Sequence, residues 1–209
     1  MSNAEKRKTW LEEQKERFRD HVATFTDYGN IKILDFKKPD SSEYRIRFLF
    51  EEDYYRLHIS GDIGSLVATN YCNMCWEWFY KHYTGDIGYF NQKIDCHDRD
   101  IYIYYESAAK KDLKERISEA GLEEDVQMMY PHVHSYDEAL DRFFEDVLDN
   151  FSSEEGMSES GFETLRSLDY DAWEYAGGIG KRSTGILDLY MLAFRLAADQ
   201  IRDAEGKVE

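Results

Sequence analysis

Between residues 31 and 69 apolar side chains recur at every second position, in short runs separated by polar turns. Ile31 and Ile33 share one side of residues 31–36. In residues 44–50, Tyr44, Ile46, Phe48 and Phe50 alternate with Arg45, Arg47 and Leu49. Tyr55, Leu57 and Ile59 share a face of residues 54–60, and residues 65–69 form a further short run. A period of two marks strands with one buried face. Glu51-Glu52-Asp53 and Gly61-Asp62-Ile63-Gly64 supply turns, so the pattern predicts an antiparallel meander. Residues 101–105 are β-prone and make a last strand.

On either side the period lengthens to that of a helix. Residues 4–25 read as one, with Leu11, Phe18, Val22 and Phe25 on a face, Trp10 beside them, and a turn at Tyr28-Gly29-Asn30. Residues 73–83 make a short aromatic helix carrying Trp76, Phe79, Tyr80 and Tyr83, and residues 89–94 a short helix or turn. Ser107 caps a helix through Ala120 that Gly121 stops. Ser135 and Glu138 have capping-box spacing ahead of Ala139, Leu140, Phe143, Phe144, Val147, Leu148 and Phe151. Residues 152–161 form a Ser/Glu/Gly loop, the best internal linker. Residues 162–175 are a second helical piece that breaks near Asp169, followed by a glycine-rich loop at 177–185. Residues 185–203 carry the strongest helical pattern, with Leu189, Leu192, Leu196 and Ile201 on a broad apolar face. The expected class is α+β: a small antiparallel sheet of four to five strands packed with helices, plus an acidic helical C-terminal half. The expected division is an α+β module with its N-terminal helix at 1–120 and an acidic helical region at 121–209, packed as one compact unit.

Charge adds a location. The 209 residues hold 43 acids against 26 bases, a formal charge of −17. Apolar residues make 42% and aromatics 15%, too many for a disordered acidic chain. The length suits one domain or one and a half. Residues 119–175 alone hold 17 acids and two bases, Arg142 and Arg166, and the rest of the chain is nearly neutral. Such an excess disfavours direct contact with nucleic acid, whose phosphates need Lys and Arg, and with anionic membrane surfaces. It favours a partner with a basic surface. No apolar run approaches the ~20 residues of a bilayer span. Residues 1–15 are charged throughout, with no apolar core of a signal peptide. Three cysteines in this length make no disulfide framework, so a reducing cytoplasm is the expected setting.

Candidate chemistry is sparse. The stretch Gly177-Gly-Ile-Gly-Lys-Arg-Ser-Thr184 has the look of a phosphate loop, but Tyr175 holds the first glycine position and Arg182 follows Lys181. A flexible basic loop is the better reading. Cys72, Cys75, Cys96 and His97 have ligand types and spacing that zinc allows, which makes a zinc protein one alternative. The aromatic run after Cys75 favours packed core cysteines instead. His132 and His134 lack a third ligand. Gly-Asp-Ile-Gly occurs at 61–64 and at 85–88 without similarity around it, and reads as two independent turns. Tyr102, Tyr104 and Tyr105 make an aromatic strip that sheet packing also explains. No catalytic constellation and no cofactor motif stands out, so the expectation is not an enzyme.

Two blocks carry a resemblance. Residues 57–70, from Leu57-His-Ile-Ser-Gly-Asp-Ile-Gly onward, run into an aromatic stretch through Phe79 and then Gly88-Tyr-Phe-Asn-Gln-Lys-Ile94. The block resembles a group of small phage and prophage proteins that share a Ser-Gly-Asp-x-Gly strand-turn and a Tyr-Phe-x-x-Lys element. Ile63 stands where that group carries an aromatic. Residues 187–200 are similar to their last helix, and the acidic middle is not covered. The resemblance implies a mobile-element accessory protein and brings no catalytic residues. Small acidic accessory proteins of phages often inhibit host defence, as anti-CRISPR proteins do. The expected function is therefore an inhibitor in the host bacterial cytoplasm that mimics nucleic acid. It would meet a basic nucleic-acid-binding protein such as a CRISPR effector. Asp137, Asp141, Glu145 and Asp149 lie at i, i+4 intervals, about 6 Å along a helix axis. Glu138 and Asp146 flank them, and Glu154 and Glu155 complete the expected partner-binding set. The alternative is a phage structural or regulatory protein that self-associates as a homodimer.

Overall fold

A computed structural model describes residues 3–205 of the chain. Residues 1–2 and 206–209, the outer ends of the two expected modules, lie outside the described residues. The chain is α+β, as the periodicity predicts. It forms two compact units, one from the residues up to 101 together with those from 185 onward, the other from residues 102–184. The division expected at residue 120 therefore falls elsewhere. The helix before Gly121 buries its apolar face in the second core, and the closing helix buries its own in the first.

In the first unit a six-stranded antiparallel sheet runs in chain order. Its strands are β1 (Val22–Asp27), β2 (Ile31–Lys37), β3 (Ile46–Glu51), β4 (Arg56–Gly61), β5 (Leu66–Thr69) and β6 (Ile94–His97). It exceeds the four to five strands expected, and β1 and β6 are the additions. The first helix, α1 (Asn3–Arg17), stops well short of residue 25. Residues 22–27 pair with β2 over their whole length, Val22 opposite Lys37 and Asp27 opposite Lys32. The ladder and the Val/Thr/Phe composition outweigh the helical spacing of Phe18, Val22 and Phe25. The outer edge of β1 is capped by one side chain. Gln200 accepts from the Ala23 N–H and donates to the His21 carbonyl, both at 2.9 Å, where a further strand would otherwise bind.

Alternation sends one face of the sheet inward. Leu34, Phe48, Ile59 and Leu66 stand opposite one another across β2 to β5, beside a second row of Phe50, Leu57 and Ala68. Over them lies α8 (Ile186–Glu205), buried on several sides by the sheet, by α1 and by α3 (Ile87–Asn91). Phe194 of α8 sits among the rings of Phe48, Phe50, Trp76 and Phe79 at 4.7–6.0 Å. Those last two rings come from α2 (Trp76–Trp78) and the π-helical turn that follows it, Phe79–Tyr83. Each buried Phe contributes on the order of 1.5–3 kcal/mol. The two Gly-Asp-Ile-Gly copies differ in backbone. Gly61 and Gly64 both have positive φ, and a Cβ at Gly61 would lie 1.9 Å from the Arg45 carbonyl oxygen. Gly85 and Gly88 have no positive φ, and Asp86 between them caps α3.

The second unit is helical around a two-stranded ribbon. β7 (Tyr102–Tyr104) pairs with β8 (Lys181–Ser183), so the strand expected at 101–105 stays out of the large sheet. The helices are α4 (Glu106–Ala120), α5 (Glu123–Met129), α6 (Tyr136–Val147) and α7 (Glu159–Leu168), with a 3-10 turn at Tyr170–Glu174. Tyr105 occupies the N-cap of α4 without a side-chain bond, so Ser107 lies inside the helix rather than capping it, and the helix ends on Gly121 in the left-handed region. Its Ala109, Leu113 and Ile117 join Phe143, Val147 and Leu165 in one core. Residues 152–161 are no linker. Ser152 and Gly156 exchange backbone hydrogen bonds of 2.9 and 3.0 Å, and Ser158 caps α7. A Cβ on buried Gly161 would lie 2.0 Å from the Val147 carbonyl oxygen.

Candidate functional site

The acidic residues singled out from the sequence all belong to the second unit, and α6 organises most of them. Ser135 opens that helix, its hydroxyl accepting from the Glu138 N–H at 3.3 Å. Ala139, Leu140, Phe143, Phe144 and Val147 form its buried stripe against α5 and α7. Helical geometry then forces the residues between them outward. Asp137, Glu138, Asp141, Arg142, Glu145 and Asp146 are all exposed. Asp137, Asp141 and Glu145 form one row at steps of about 6 Å.

The fourth expected member leaves that row. α6 ends at Val147, Leu148 caps it, and Asn150 has φ 57°, so Asp149 sits on the turn beyond the helix. Its carboxylate accepts from the Asn150 amide at 2.8 Å, and its carbonyl accepts from the Ser158 hydroxyl at 2.7 Å. Glu154 and Glu155 are exposed in the Ser152–Gly156 loop, not on a helix. The Ser158 bond ties the end of that loop to the end of α6, which brings the two segments together. Two further members of the set are partly engaged. Arg142 pairs with Glu145 at 2.8 Å, and the Tyr130 hydroxyl donates to Asp146 at 2.7 Å. Burial and that bond to a carboxylate push the Tyr130 phenol well above its ordinary pKa. Among the described residues Asp137, Glu138, Asp141 and Asp149 form no salt bridge.

The basic loop is locked. Asp112 of α4 receives Arg182 at 2.6 and 2.9 Å and the Gly180 N–H at 2.9 Å. A backbone donor that a phosphate would need is thus already used. Burial opposes the Asp112 charge, but the bonds from Arg182 and Gly180 outweigh it and hold the carboxyl below its ordinary pKa. Lys181 lies over the rings of Tyr102 at 4.6 Å and Tyr104 at 5.7 Å, which accounts for two members of the aromatic strip.

Cys72, Cys75, Cys96 and His97 are not gathered as ligands. Among the described residues no three His, Cys, Asp or Glu side chains converge where they could hold a metal ion. Cys75 flanks α2, and Cys72 and Cys96 are exposed thiols rather than core residues. The outer face of the large sheet carries a shallow groove containing His58, Glu51, Ser60 and Cys96. His58 and Glu51 are 3.0 Å apart. Cys96 stands opposite Val67, which itself stands opposite His58, so a full strand separates that thiol from the imidazole.

No protein-family model, curated protein or solved structure matches the chain. Among the described residues no helix is long and apolar enough to cross a membrane. The acidic face of α6 with its adjoining loop is the largest set of sequence-selected residues that the fold brings together. Sequence spacing missed Tyr170 and Trp173 in the same unit. Both are exposed, and their interval of three matches a 3-10 turn.

Proposed function

We propose that this chain is a non-enzymatic, phage-encoded inhibitor of a host defence effector, of the anti-CRISPR kind, acting in the bacterial cytoplasm. The acidic face of α6 would occupy a basic nucleic-acid-binding surface of the effector. One observation carries the reading. From Asp137 to Asp146 the exposed face holds five acids and one base, a net −4. Nine helical steps of ~1.5 Å separate those ends, so the face carries one charge per roughly 3.4 Å. A nucleic-acid strand carries one per about 3.4 Å of axis. The resemblance of residues 57–94 and 187–200 to phage proteins supplies the setting. Mimicry also explains how an acidic chain can act on nucleic-acid machinery without touching nucleic acid.

The test is displacement of labelled DNA from a panel of purified CRISPR effector complexes. The chain is expected to displace DNA from one of them, and the triple variant Asp137→Lys, Asp141→Lys, Glu145→Lys to fail. No displacement anywhere on the panel overturns the reading, and so does undiminished displacement by the triple variant.

A further inference from the structure

The turn between α7 and the glycine-rich loop presents two large rings to solvent. Tyr170 is 76% exposed and Trp173 65%, in a segment whose Ala172 is wholly buried. A 3-10 helix has three residues per turn, so Tyr170 and Trp173 share one side and Asp171 and Glu174 the side next to it. Two large rings on one side of a single turn form a contiguous exposed patch, and Trp and Tyr dominate binding hot spots.

The turn is held from beneath. Asp169 caps it, accepting from the Asp171 N–H at 3.0 Å. The same carboxylate accepts from Arg116 at 3.1 Å and from the Tyr175 hydroxyl at 2.9 Å. Arg116 lies 4.5 Å over the Tyr175 ring. On its inner side, then, the segment already binds one guanidinium between a ring and a carboxylate. On its outer side Tyr170, Trp173, Asp171 and Glu174 offer the same two groups. Among the described residues none of these four has an ion-pair or ring partner.

We infer that Tyr170 and Trp173, with Asp171 and Glu174, form a docking hook for an arginine-bearing segment of a partner protein. The charge selects this occupant. With Asp169 paired to Arg116, the outward charges of the hook are Asp171 and Glu174, with no base among residues 169–174, so two copies of the hook would repel each other. A guanidinium stacks on an aromatic face and pairs with a carboxylate at once, which an ammonium does less well. The inference rests on the reading that the second unit meets a basic partner, and it names the side chain that partner would bring.

Octa-arginine and octa-lysine peptides, titrated separately into the full chain, test it. Octa-arginine is expected to bind about fivefold to tenfold more tightly, the scale of one or two cation–π contacts. The double variant Tyr170→Ala, Trp173→Ala should lose that preference while its affinity for octa-lysine is unchanged. Trp173→Leu keeps an apolar contact without a π-face and should lose most of the preference. The α6 triple variant should bind both peptides more weakly and keep the preference. Should the triple variant bind both peptides undiminished while the double variant loses the preference, the hook stands and the α6 reading falls. Equal affinity of the wild-type chain for the two peptides overturns the hook, as does a preference that survives in the double variant. Sedimentation showing that the chain dimerises through these rings also overturns it.

Discussion

The two units solve the problem of charge in opposite ways. Residues 1–101 with 185–209 carry 23 acids and 18 bases, and residues 102–184 carry 20 and 8. In the first unit the cations are placed against acids across the sheet. Arg47 grips Asp35 with two bonds of 2.7 and 2.9 Å, Arg45 grips Asp62, and Lys32 reaches Asp27 and Glu52. In the second unit one arginine each of α4 and β8 is used on an acid of the same unit, Arg116 on Asp169 and Arg182 on Asp112, while Lys110 and Lys111 pair along α4 itself. The outer face of α6 is left with Arg142 alone. Balanced charge in the first unit accompanies a large aromatic core and suits a scaffold. Unbalanced charge in the second sits on a helix whose apolar stripe is complete, so folding does not need it. A surface that folding does not need is where binding is expected.

The largest way to break the comparison is to attack one core and watch the other. Phe194→Ala removes a ring packed against four others and should cost about 3–5 kcal/mol. Amide hydrogen exchange should show lost protection in β2–β4 and α8, with α4, α6 and α7 unchanged. Equal loss in both sets of amides would mean that the cores are not separate.

A smaller effect sharpens the role of the inward ion pairs. Burial opposes the Asp169 charge, but the bonds from Tyr175 and Arg116 outweigh it and hold the carboxyl below its ordinary pKa. Burial and the Asp169 contact push Tyr175 up to about 12. A carboxyl whose folded pKa is depressed contributes stability that is fully present above its unfolded pKa, near 3.8. That contribution is lost as pH falls through the folded value. Acid titration should therefore weaken the second unit below about pH 4, Asp112 adding to the effect. Asp169→Asn should lower stability at pH 7 by about 1–3 kcal/mol and flatten this acid dependence. An unchanged acid profile in the variant would remove Asp169 from the account.

Much of this was legible in the chain. Alternation marked β3 and β4 and the spans of β2 and β5, and Ser135 with the stripe Ala139–Val147 marked α6. In β2 it pointed to Ile31 and Ile33, but pairing with β3 turns Leu34 and Phe36 into the core instead. β1 was hidden because Phe18, Val22 and Phe25 also fit a helical period, and only pairing with β2 decides between them. β6 was hidden because Asp95, Cys96 and His97 face solvent on an edge and carry no alternation. The unit boundary was misplaced because charge, which drew it, does not decide where an apolar face is buried. The acidic row was legible as far as Glu145. Asp149 left it because a helix end depends on capping, not on spacing.

The smallest stability effect belongs to the residues with the largest proposed functional one. Asp141→Lys and Glu145→Lys lie on an exposed face and should each change stability by no more than about 0.5 kcal/mol, read from urea unfolding, and Asp137→Lys, in the first turn of α6, by no more than about 1 kcal/mol because it opposes the helix dipole. A larger loss would make the face structural.

The most direct measurement is the affinity of this chain for the basic effector it displaces from DNA, taken at 50 and 200 mM salt, roughly the range over which such contacts weaken most. Wild-type affinity is expected to fall about tenfold or more across that range, and the triple variant to bind weakly at both. Salt-independent affinity, shared equally by wild type and triple variant, would contradict the proposal.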